Sequence, residues 1–285
     1  MSRKERPPIP EPLPVPTVDA HTHLDACGAT TPDLVRAALD RAVSAGIAAV
    51  ITVADDMDSA RWVAEAATWD ARLYGAVALH PTRTEGFGDA ERAELERLAS
   101  TDGVVAVGET GLDYYWDYAT PEAQQEAFRW HIDLAKRVGK PLMIHNREAH
   151  DDVLAILASE GPPETVMFHC FSGDAEVARR CIDAGYLLSF AGTVTFRNAR
   201  ELQEAARLVP DEQLLVETDA PFLTPHPFRG RPNEPYCAAY TVVGLAELRG
   251  QPVEAVAEVT RRNAERVFHL HVTEIEDAER PPEGS

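Results

Sequence analysis

The sequence predicts an α/β protein of the (β/α)8 barrel class, also called a TIM barrel. Its 285 residues, 45% of them hydrophobic, suffice to bury one large core. Eight short apolar runs recur along the chain, and segments with helical spacing lie between them. Strand and helix alternate about once every 25 to 35 residues, which is the size of a βαβ unit.

The apolar runs are continuous rather than alternating, which is typical of strands buried on both faces. The predicted strands span residues 15–20, 48–53, 74–79, 104–107, 141–144, 165–168, 186–190 and 214–216. An open doubly wound sheet more often has five or six strands and a glycine-rich first turn, whereas neither a G-x-G-x-x-G motif nor a P-loop follows the first strand here.

Helix starts carry recognisable signals. Thr31-Pro32 and Thr120-Pro121 each place a capping residue before a first-turn proline. The predicted helices span residues 32–44, 59–69, 90–99, 121–138, 149–159, 175–184, 198–209 and 253–268. We expect one barrel domain over residues 17–270, a disordered proline-rich leader over 1–16 and a disordered acidic tail over 271–285.

Composition restricts the class of protein. No run of about 18 apolar residues and no apolar N-terminal segment occurs, so we expect a soluble cytoplasmic protein. The four cysteines lack Cys-x-x-Cys spacing, which argues against a disulfide framework or a thiolate zinc site. A net charge of −20 excludes a broad basic surface for duplex binding, so any contact with nucleic acid must be local.

The first predicted strand runs into His21 and His23. Residues two apart in a strand point to the same face, so both imidazoles could hold one metal ion. Taken alone, the pair is explained as well by hydrogen-bonded or solvent-facing histidines.

Four further metal-binding side chains lie at the carboxyl ends of other predicted strands. They are Glu109, His145, His169 and Asp219. In a barrel those ends share one rim, where active sites form, so we expect all of these side chains to meet in one pocket. Each of these residues has an ordinary structural explanation by itself. Together with His21 and His23 they form a set of six, and a purely structural explanation of the whole set would need repeated coincidence.

The chemical types of the six residues favour two ions. Four imidazoles and two carboxylates are too many for a single catalytic zinc, which must keep an open position. They suit two divalent ions about 3.5 to 4 Å apart with a bridging carboxylate, which could generate hydroxide from a shared water and clamp the oxygens of a phosphoester.

Six short motifs together resemble the TatD family of metal-dependent hydrolases, within the amidohydrolase-like barrel group. They are DAHTH at 19–23, ALHP at 78–81, GETGLDY at 108–114, IHNR at 144–147, HCFSG at 169–173 and ETDAPFL at 217–223. The resemblance extends from about residue 17 to residue 268. No ligand position of the family pattern is missing.

The resemblance implies a ligand set and an activity. It implies that His21, His23 and Asp219 bind one metal, that His145 and His169 bind the second, and that Glu109 bridges them. It also implies deoxyribonuclease activity with 3′-to-5′ exonuclease action, for which single-stranded DNA is the expected partner. The mechanism that we hypothesise is attack of a metal-activated hydroxide on phosphorus. Asp219 is both ligand and general base in this hypothesis, and Glu109 is the other catalytic carboxylate.

Three further residues are candidates for substrate binding. His80, Arg147 and Arg197 follow strands on the same rim and could reach the substrate phosphate. For Arg147, an ion pair with Asp151 or Glu148 is an equally good interpretation. Tyr114 is expected to pack rather than to stack on a base.

Other functions remain open at this level. The same site could cleave an amide, lactone or ester, as in a D-aminoacyl-tRNA deacylase, and a barrel without turnover could act as a binding protein. Mixed imidazole and carboxylate ligands suit Zn²⁺, Mn²⁺ or Ni²⁺, with Mg²⁺ as an alternative working ion. A chain of this size can close its own core, which favours a monomer.

Overall fold

A computed structural model describes residues 5–272. The eight strands are β1 (Thr17–Thr22), β2 (Ile47–Val53), β3 (Leu73–Ala76), β4 (Val104–Asp113), β5 (Leu142–Arg147), β6 (Val166–Phe168), β7 (Leu187–Phe190) and β8 (Leu214–Val216). The α-helices are α1 (Pro32–Ser44), α2 (Met57–Ala66), α3 (Asp89–Ala99), α4 (Pro121–Val138), α5 (His150–Glu160), α6 (Ala175–Asp183), α7 (Arg200–Leu208), α8 (Ala238–Arg249) and α9 (Val253–Phe268). Short 3-10 helices span Pro81–Arg83, Gly192–Thr195, Asp211–Gln213 and Pro235–Cys237.

The strands form one parallel sheet in chain order from β1 to β8. The first and last strands meet through Asp19, whose carboxylate accepts the backbone N–H of Thr218 at 2.8 Å and its hydroxyl at 2.6 Å. Beyond the strand ends, the Asp219 N–H donates to the carbonyl of His21 at 3.0 Å. These contacts complete a nearly closed barrel, so the predicted (β/α)8 fold is confirmed.

Two apolar layers account for the continuous hydrophobicity of the strands. One set of strand residues fills the barrel interior, where Ile51, Met143 and Leu215 are fully buried. Phe268, at the end of α9, packs into the same interior cluster. The alternate strand residues pack outward against the helices in a larger cluster. Because both faces are covered, hydrophobicity does not alternate along the strands.

The largest differences between the structure and the sequence predictions are at β4 and α8. β4 continues to Asp113, because its second half pairs with β5 after a register shift between Val107 and Thr110. Glu109 therefore lies within a strand rather than after one. The helix α8 was not predicted, because its apolar residues face several directions and give no amphipathic pattern.

Residues 5–16 lie against the barrel, which differs from the disorder that their composition predicts. The Leu13 side chain is buried, and its N–H donates to the carbonyl of Ala45 at 3.1 Å. The Tyr236 hydroxyl donates to the carbonyl of Pro7 at 2.7 Å. Proline lacks an N–H but keeps its acceptor, so Pro7 is held through its carbonyl by a donor from the barrel. Most of the predicted tail, residues 273–285, falls outside the described residues.

None of the helices between residues 5 and 272 combines the length and the apolarity needed to cross a bilayer.

A buried histidine ties together the carboxyl ends of β3 and β4. The Nε2 atom of His131 accepts the N–H of Leu79 at 3.3 Å, and its Nδ1–H donates to the carbonyl of Ala127 at 2.7 Å. The Thr110 hydroxyl lies 3.0 Å from the same Nδ1. Both ring nitrogens are thus used by a neutral imidazole, and burial lowers the pKa of His131 to about 3.

We expect this histidine to make folding stability depend on pH. The unfolded chain takes up a proton near the ordinary pKa of 6.5, whereas the folded chain does so only near 3. The stabilisation is therefore complete above pH 6.5 and is lost as the pH falls through this window, by about 1.4 kcal/mol per unit. Urea unfolding of wild type and His131→Gln, both with chelator, should show their free-energy difference changing at this rate. A pH-independent difference would contradict a neutral His131.

Candidate metal centre

His21, in β1, and His23, directly after it, each have one ring nitrogen occupied by the protein. The Nδ1–H of His23 donates to the carbonyl of Val53 at 3.0 Å, and the Nδ1 atom of His21 lies 3.0 Å from the sulfur of Met143. Their Nε2 atoms lie 3.3 Å apart. Since both side chains are buried, the two Nε2 lone pairs are directed into one small space at the mouth of the barrel.

His145, in β5, and His169, directly after β6, repeat this arrangement with carboxylates as partners. The Nε2–H of His145 donates to Asp113 at 2.9 Å, and the Nδ1–H of His169 donates to Glu217 at 3.3 Å. The remaining nitrogens, Nδ1 of His145 and Nε2 of His169, lie 3.3 Å apart. Each ring is thus oriented from behind and presents a free nitrogen, as metal-binding histidines commonly do.

The carboxylate of Glu109 lies between the two histidine pairs. Its Oε1 is 3.6 Å from Nε2 of His21 and 3.4 Å from Nε2 of His23. Its Oε2 is 3.0 Å from Nδ1 of His145 and 2.6 Å from Nε2 of His169. One oxygen therefore faces each pair, which is the arrangement that a bridging carboxylate requires.

Asp219 joins the β1 side of the cluster. Its Oδ1 lies 3.7 Å from Nε2 of His21 and 3.6 Å from Nε2 of His23. The residue follows β8 in a left-handed turn with φ of 52°, a conformation that aspartate tolerates better than most residues. Its side chain is 13% exposed, against 3% for Glu109, so it is the more accessible carboxylate of the two.

The charges of the cluster reinforce one another. Burial would raise the pKa of Glu109, but the positive charge of His169 and the hydrogen bonds from His145 and His169 hold it well below its ordinary value. Burial would lower the pKa of His169, but Glu109 raises it well above the usual range. The pKa of His21 is lowered by burial and by the charge of His169. Glu109 is therefore an ionised carboxylate in a buried site.

The donor set fits divalent cations. The lone pairs of imidazole nitrogens that face each other repel unless cations or protons lie between them. A mixture of imidazole nitrogen and carboxylate oxygen suits divalent metals of intermediate softness. Sets of three donor atoms within 4.8 Å of one another occur around His21, around His23 and around His145. Oε2 of Glu217 is buried beside this cluster without a hydrogen-bond partner in the described part of the chain. The site is thus a buried metal-binding cluster of histidine, glutamate and aspartate.

Sequence reasoning missed the roles of three carboxylates at this site. Glu217 accepts a hydrogen bond from His169, and Asp113 accepts one from His145, so each carboxylate orients its histidine ring. A carboxylate oxygen of Asp55 lies within 4.8 Å of the ligand atoms of His23 and Glu109. Glu217 was detectable as a charged residue that directly continues an apolar strand and lies two residues from Asp219. The role of Asp113 was not detectable, because it depends on pairing between β4 and β5.

The predicted substrate-binding residues divide into three cases. Nε2 of His80 lies 3.3 Å from His145, so this residue borders the cluster. The guanidinium of Arg147 stacks on the ring of Tyr115 at 3.7 Å, and it has no ion pair within residues 5–272. Asp151, its predicted alternative partner, pairs with Arg180. Arg197 is exposed, and nothing in the described residues connects it to the cluster.

Comparison with known proteins places this geometry in a family. Residues 18–269 match the family described as "TatD related DNase". The chain is 63% identical over 258 residues to the metal-dependent hydrolase TatD of Mycobacterium tuberculosis, covering 89% of this chain and 98% of that protein. It is 40% identical over 255 residues to the metal-dependent hydrolase YabD of Bacillus subtilis, covering 89% and 99%.

A solved structure agrees with this relationship. The crystal structure of YJJV, a TatD homologue from Escherichia coli, superposes with a TM-score of 0.83 at 32% identity, covering 90% of this chain and 98% of that one. A TatD family hydrolase from Entamoeba histolytica shares the fold, with a TM-score of 0.80 at 19% identity. The buried ligand cluster, the barrel and these similarities together lead to one conclusion: the chain belongs to the TatD family of metal-dependent hydrolases, with an amidohydrolase-like barrel.

Proposed function

We propose that this protein is a cytoplasmic, monomeric deoxyribonuclease that hydrolyses phosphodiester bonds of DNA from the 3′ end. The observation that carries the proposal is the convergence of four imidazole nitrogens on the two oxygens of Glu109. Two-metal sites of this kind are typical of enzymes that cleave phosphoesters. The name of the matching family, "TatD related DNase", supports DNA as the substrate.

The proposed ligands follow the two sides of the cluster. His21, His23 and Asp219 would hold one ion, His145 and His169 the other, and Glu109 would bridge them. When bound, two ions supply positive charge for the phosphate oxygens and acidify water near neutral pH. Met143, Val53, Asp113 and Glu217 hold the four imidazole rings in position, so little reorganisation is needed when substrate binds.

In this proposal the remaining residues accept the proton or bind the phosphate. Asp219 is in this proposal the general base, because its partly exposed carboxylate can accept a proton from water at the mouth of the barrel. Arg147 would bind a phosphate oxygen with guanidinium N–H groups that no described carboxylate occupies. His80 accepts the N–H of Thr82 through Nδ1 at 3.2 Å, so its Nε2–H is left to donate toward the site. We keep Arg197 as a third candidate for binding the DNA backbone.

A substrate panel with metal analysis tests this function. Purified protein is assayed on 5′-labelled single-stranded DNA, RNA, D-aminoacyl-tRNA and small esters, with the metal content of the same sample measured. We expect stepwise shortening of the DNA, complete loss of activity with chelator, and recovery with Zn²⁺, Mn²⁺, Ni²⁺ or Mg²⁺.

Two outcomes would contradict the proposal. Faster cleavage of D-aminoacyl-tRNA or an ester than of DNA would assign the site to carbonyl rather than phosphate chemistry. Protein without bound ions, and without activity on any substrate after metal addition, would indicate a barrel that only binds.

A further inference from the structure

An exposed group of aromatic side chains follows β4, the strand that carries Glu109. Tyr115, Trp116 and Tyr118 are 50%, 43% and 64% exposed. Trp116 and Tyr118 stack with their ring centres 5.6 Å apart and their planes 17° apart, while Tyr115 meets Trp116 edge to face. We call residues 113–119 the aromatic loop. Three large aromatic rings in water are costly unless a partner covers them.

The aromatic loop carries a cation on one of its rings. The guanidinium of Arg147 lies 3.7 Å from the ring centre of Tyr115 and 5.8 Å from that of Trp116. Arg147 is two residues after His145 in β5, so its side chain leaves the strand on the same face as that histidine. A stacked guanidinium keeps its N–H groups free in the ring plane, and it is therefore ready for a phosphate.

The aromatic loop is held rigidly despite its exposure. One oxygen of Asp113 accepts the backbone N–H groups of Tyr115 and Trp116, both at 3.0 Å, while its other oxygen holds His145. The buried side chain of Gln124 bonds to both ends of the loop, at the backbone of Asp113 and at the carbonyl of Ala119. The same carboxylate thus fixes the position of the rings relative to the metal cluster.

A fourth exposed ring lies on the other side of the site. Phe222 is 57% exposed, follows Asp219 by three residues, and lies edge-on to His23 with ring centres 6.4 Å apart. Within residues 5–272, the aromatic side chains among the large exposed hydrophobic residues are Phe222 and three of the four rings of the aromatic loop, Tyr115, Trp116 and Tyr118. All four therefore lie on the two loops that flank the Glu109 and Asp219 carboxylates, rather than being scattered over the surface.

We propose that the aromatic loop and Phe222 form a stacking site for unpaired nucleobases next to the cleaved phosphate. This inference rests on the proposed function and assigns four side chains of this chain to the bases beside the cleaved bond. Bases in a duplex stack on each other and offer no free faces, whereas an unpaired base can lie on a Trp or Tyr ring. Arg147 would contact the phosphate between the stacked base and the metal cluster. The strongly acidic surface elsewhere makes such a local site necessary for a polyanion.

Binding of a hydrolysis-resistant strand tests the stacking site. We suggest a labelled DNA decamer with phosphorothioate linkages at its 3′ end, compared with decamers in which each of the last three bases is removed in turn. Fluorescence anisotropy gives the affinity of the metal-loaded protein for each strand. Removing a stacked base should weaken wild-type binding by about 10- to 100-fold. Trp116→Ala should weaken binding of the intact strand by a similar factor and should no longer distinguish the abasic strand.

Conservative and distant variants provide the controls. Trp116→Phe keeps a ring and should retain most of the affinity. Leu208→Ala removes another exposed apolar side chain, 39% exposed at the end of α7, and should bind as wild type does. Circular dichroism establishes that each variant is folded, which is expected because the substituted side chains lie at the surface.

Three results would overturn the stacking site. The first is equal wild-type affinity for intact and abasic strands. The second is a Trp116→Ala variant that still distinguishes them. The third is a change in oligomeric state in Trp116→Ala with unaltered DNA affinity, which would show that the loop contacts a second copy. If wild type still shortens ordinary DNA in these cases, the stacking site fails alone, whereas absence of both cleavage and binding rejects the proposed function as well.

Discussion

Asp219→Asn should lower kcat on DNA by about 100- to 10,000-fold, which is the usual contribution of a general base. The change replaces a carboxylate that can accept a proton with an amide that cannot. Asparagine is nearly the same size and tolerates the left-handed backbone at this position, where φ is 52°, so folding should be preserved. The turn is also held by its backbone, through the bond from Asp219 N–H to the His21 carbonyl, which the substitution leaves in place.

The role of Asp219 as a base must be separated from its role as a ligand. We therefore compare turnover at equal metal content, measured by elemental analysis, and thermal unfolding of the same samples. Asp183→Asn is a matched control, because it makes the same chemical change at an exposed position at the end of α6. Wild-type turnover of Asp219→Asn at full metal occupancy would reject the base.

Glu109→Gln should lower the number of bound metal ions as well as turnover. The two oxygens of Glu109 face two different histidine pairs, and glutamine has only one oxygen and no charge. Its amide N–H group would be directed at imidazole nitrogens or at a cation. We expect fewer than two bound ions per chain. The loss of kcat/KM should exceed about 10- to 100-fold, which is the usual cost of removing a residue that hydrogen-bonds to a metal ligand.

The control for Glu109→Gln tests whether removing one negative charge elsewhere in the protein changes metal content or turnover. Glu247→Gln makes the same change on the exposed surface of α8 and should leave metal content and turnover unaltered. Elemental analysis after dialysis against a metal buffer measures occupancy, and a phosphodiester assay measures turnover. A Glu109→Gln protein that keeps two ions and wild-type kcat/KM would rule out a bridging carboxylate.

The fold was largely predictable because hydrophobic runs and helix starts are local signals. α4 begins at Pro121 and ends at Val138, where the Thr120 cap and Gly139 predict its limits. Helix α8 was missed since it is buried on several sides. The position of Pro7 and Pro8 depends on the hydroxyls of Tyr236 and Tyr240, more than two hundred residues away, and no local pattern of the proline-rich segment encodes these partners.

The site was predictable to the extent that it depends on strand ends. His169 and Asp219 could be assigned to the rim because each follows a short apolar run. The orientation of each ring was not predictable, since His23 is held by the carbonyl of Val53 and His21 by the sulfur of Met143. Such contacts arise only when separate strands are brought side by side.

The bond between Asp19 and Thr218 has a consequence for the unfolding of the protein. It joins residues 199 positions apart, and His21 and Asp219 lie directly beside it. A cation bound by both residues would connect the first strand of the barrel to the end of the last one, and unfolding would have to release that cation. Such ligand-linked stabilisation grows with the free ion concentration, reaching about 2.7 kcal/mol at a hundredfold excess over Kd. Cellular metal supply would then affect the free energy of unfolding as well as turnover.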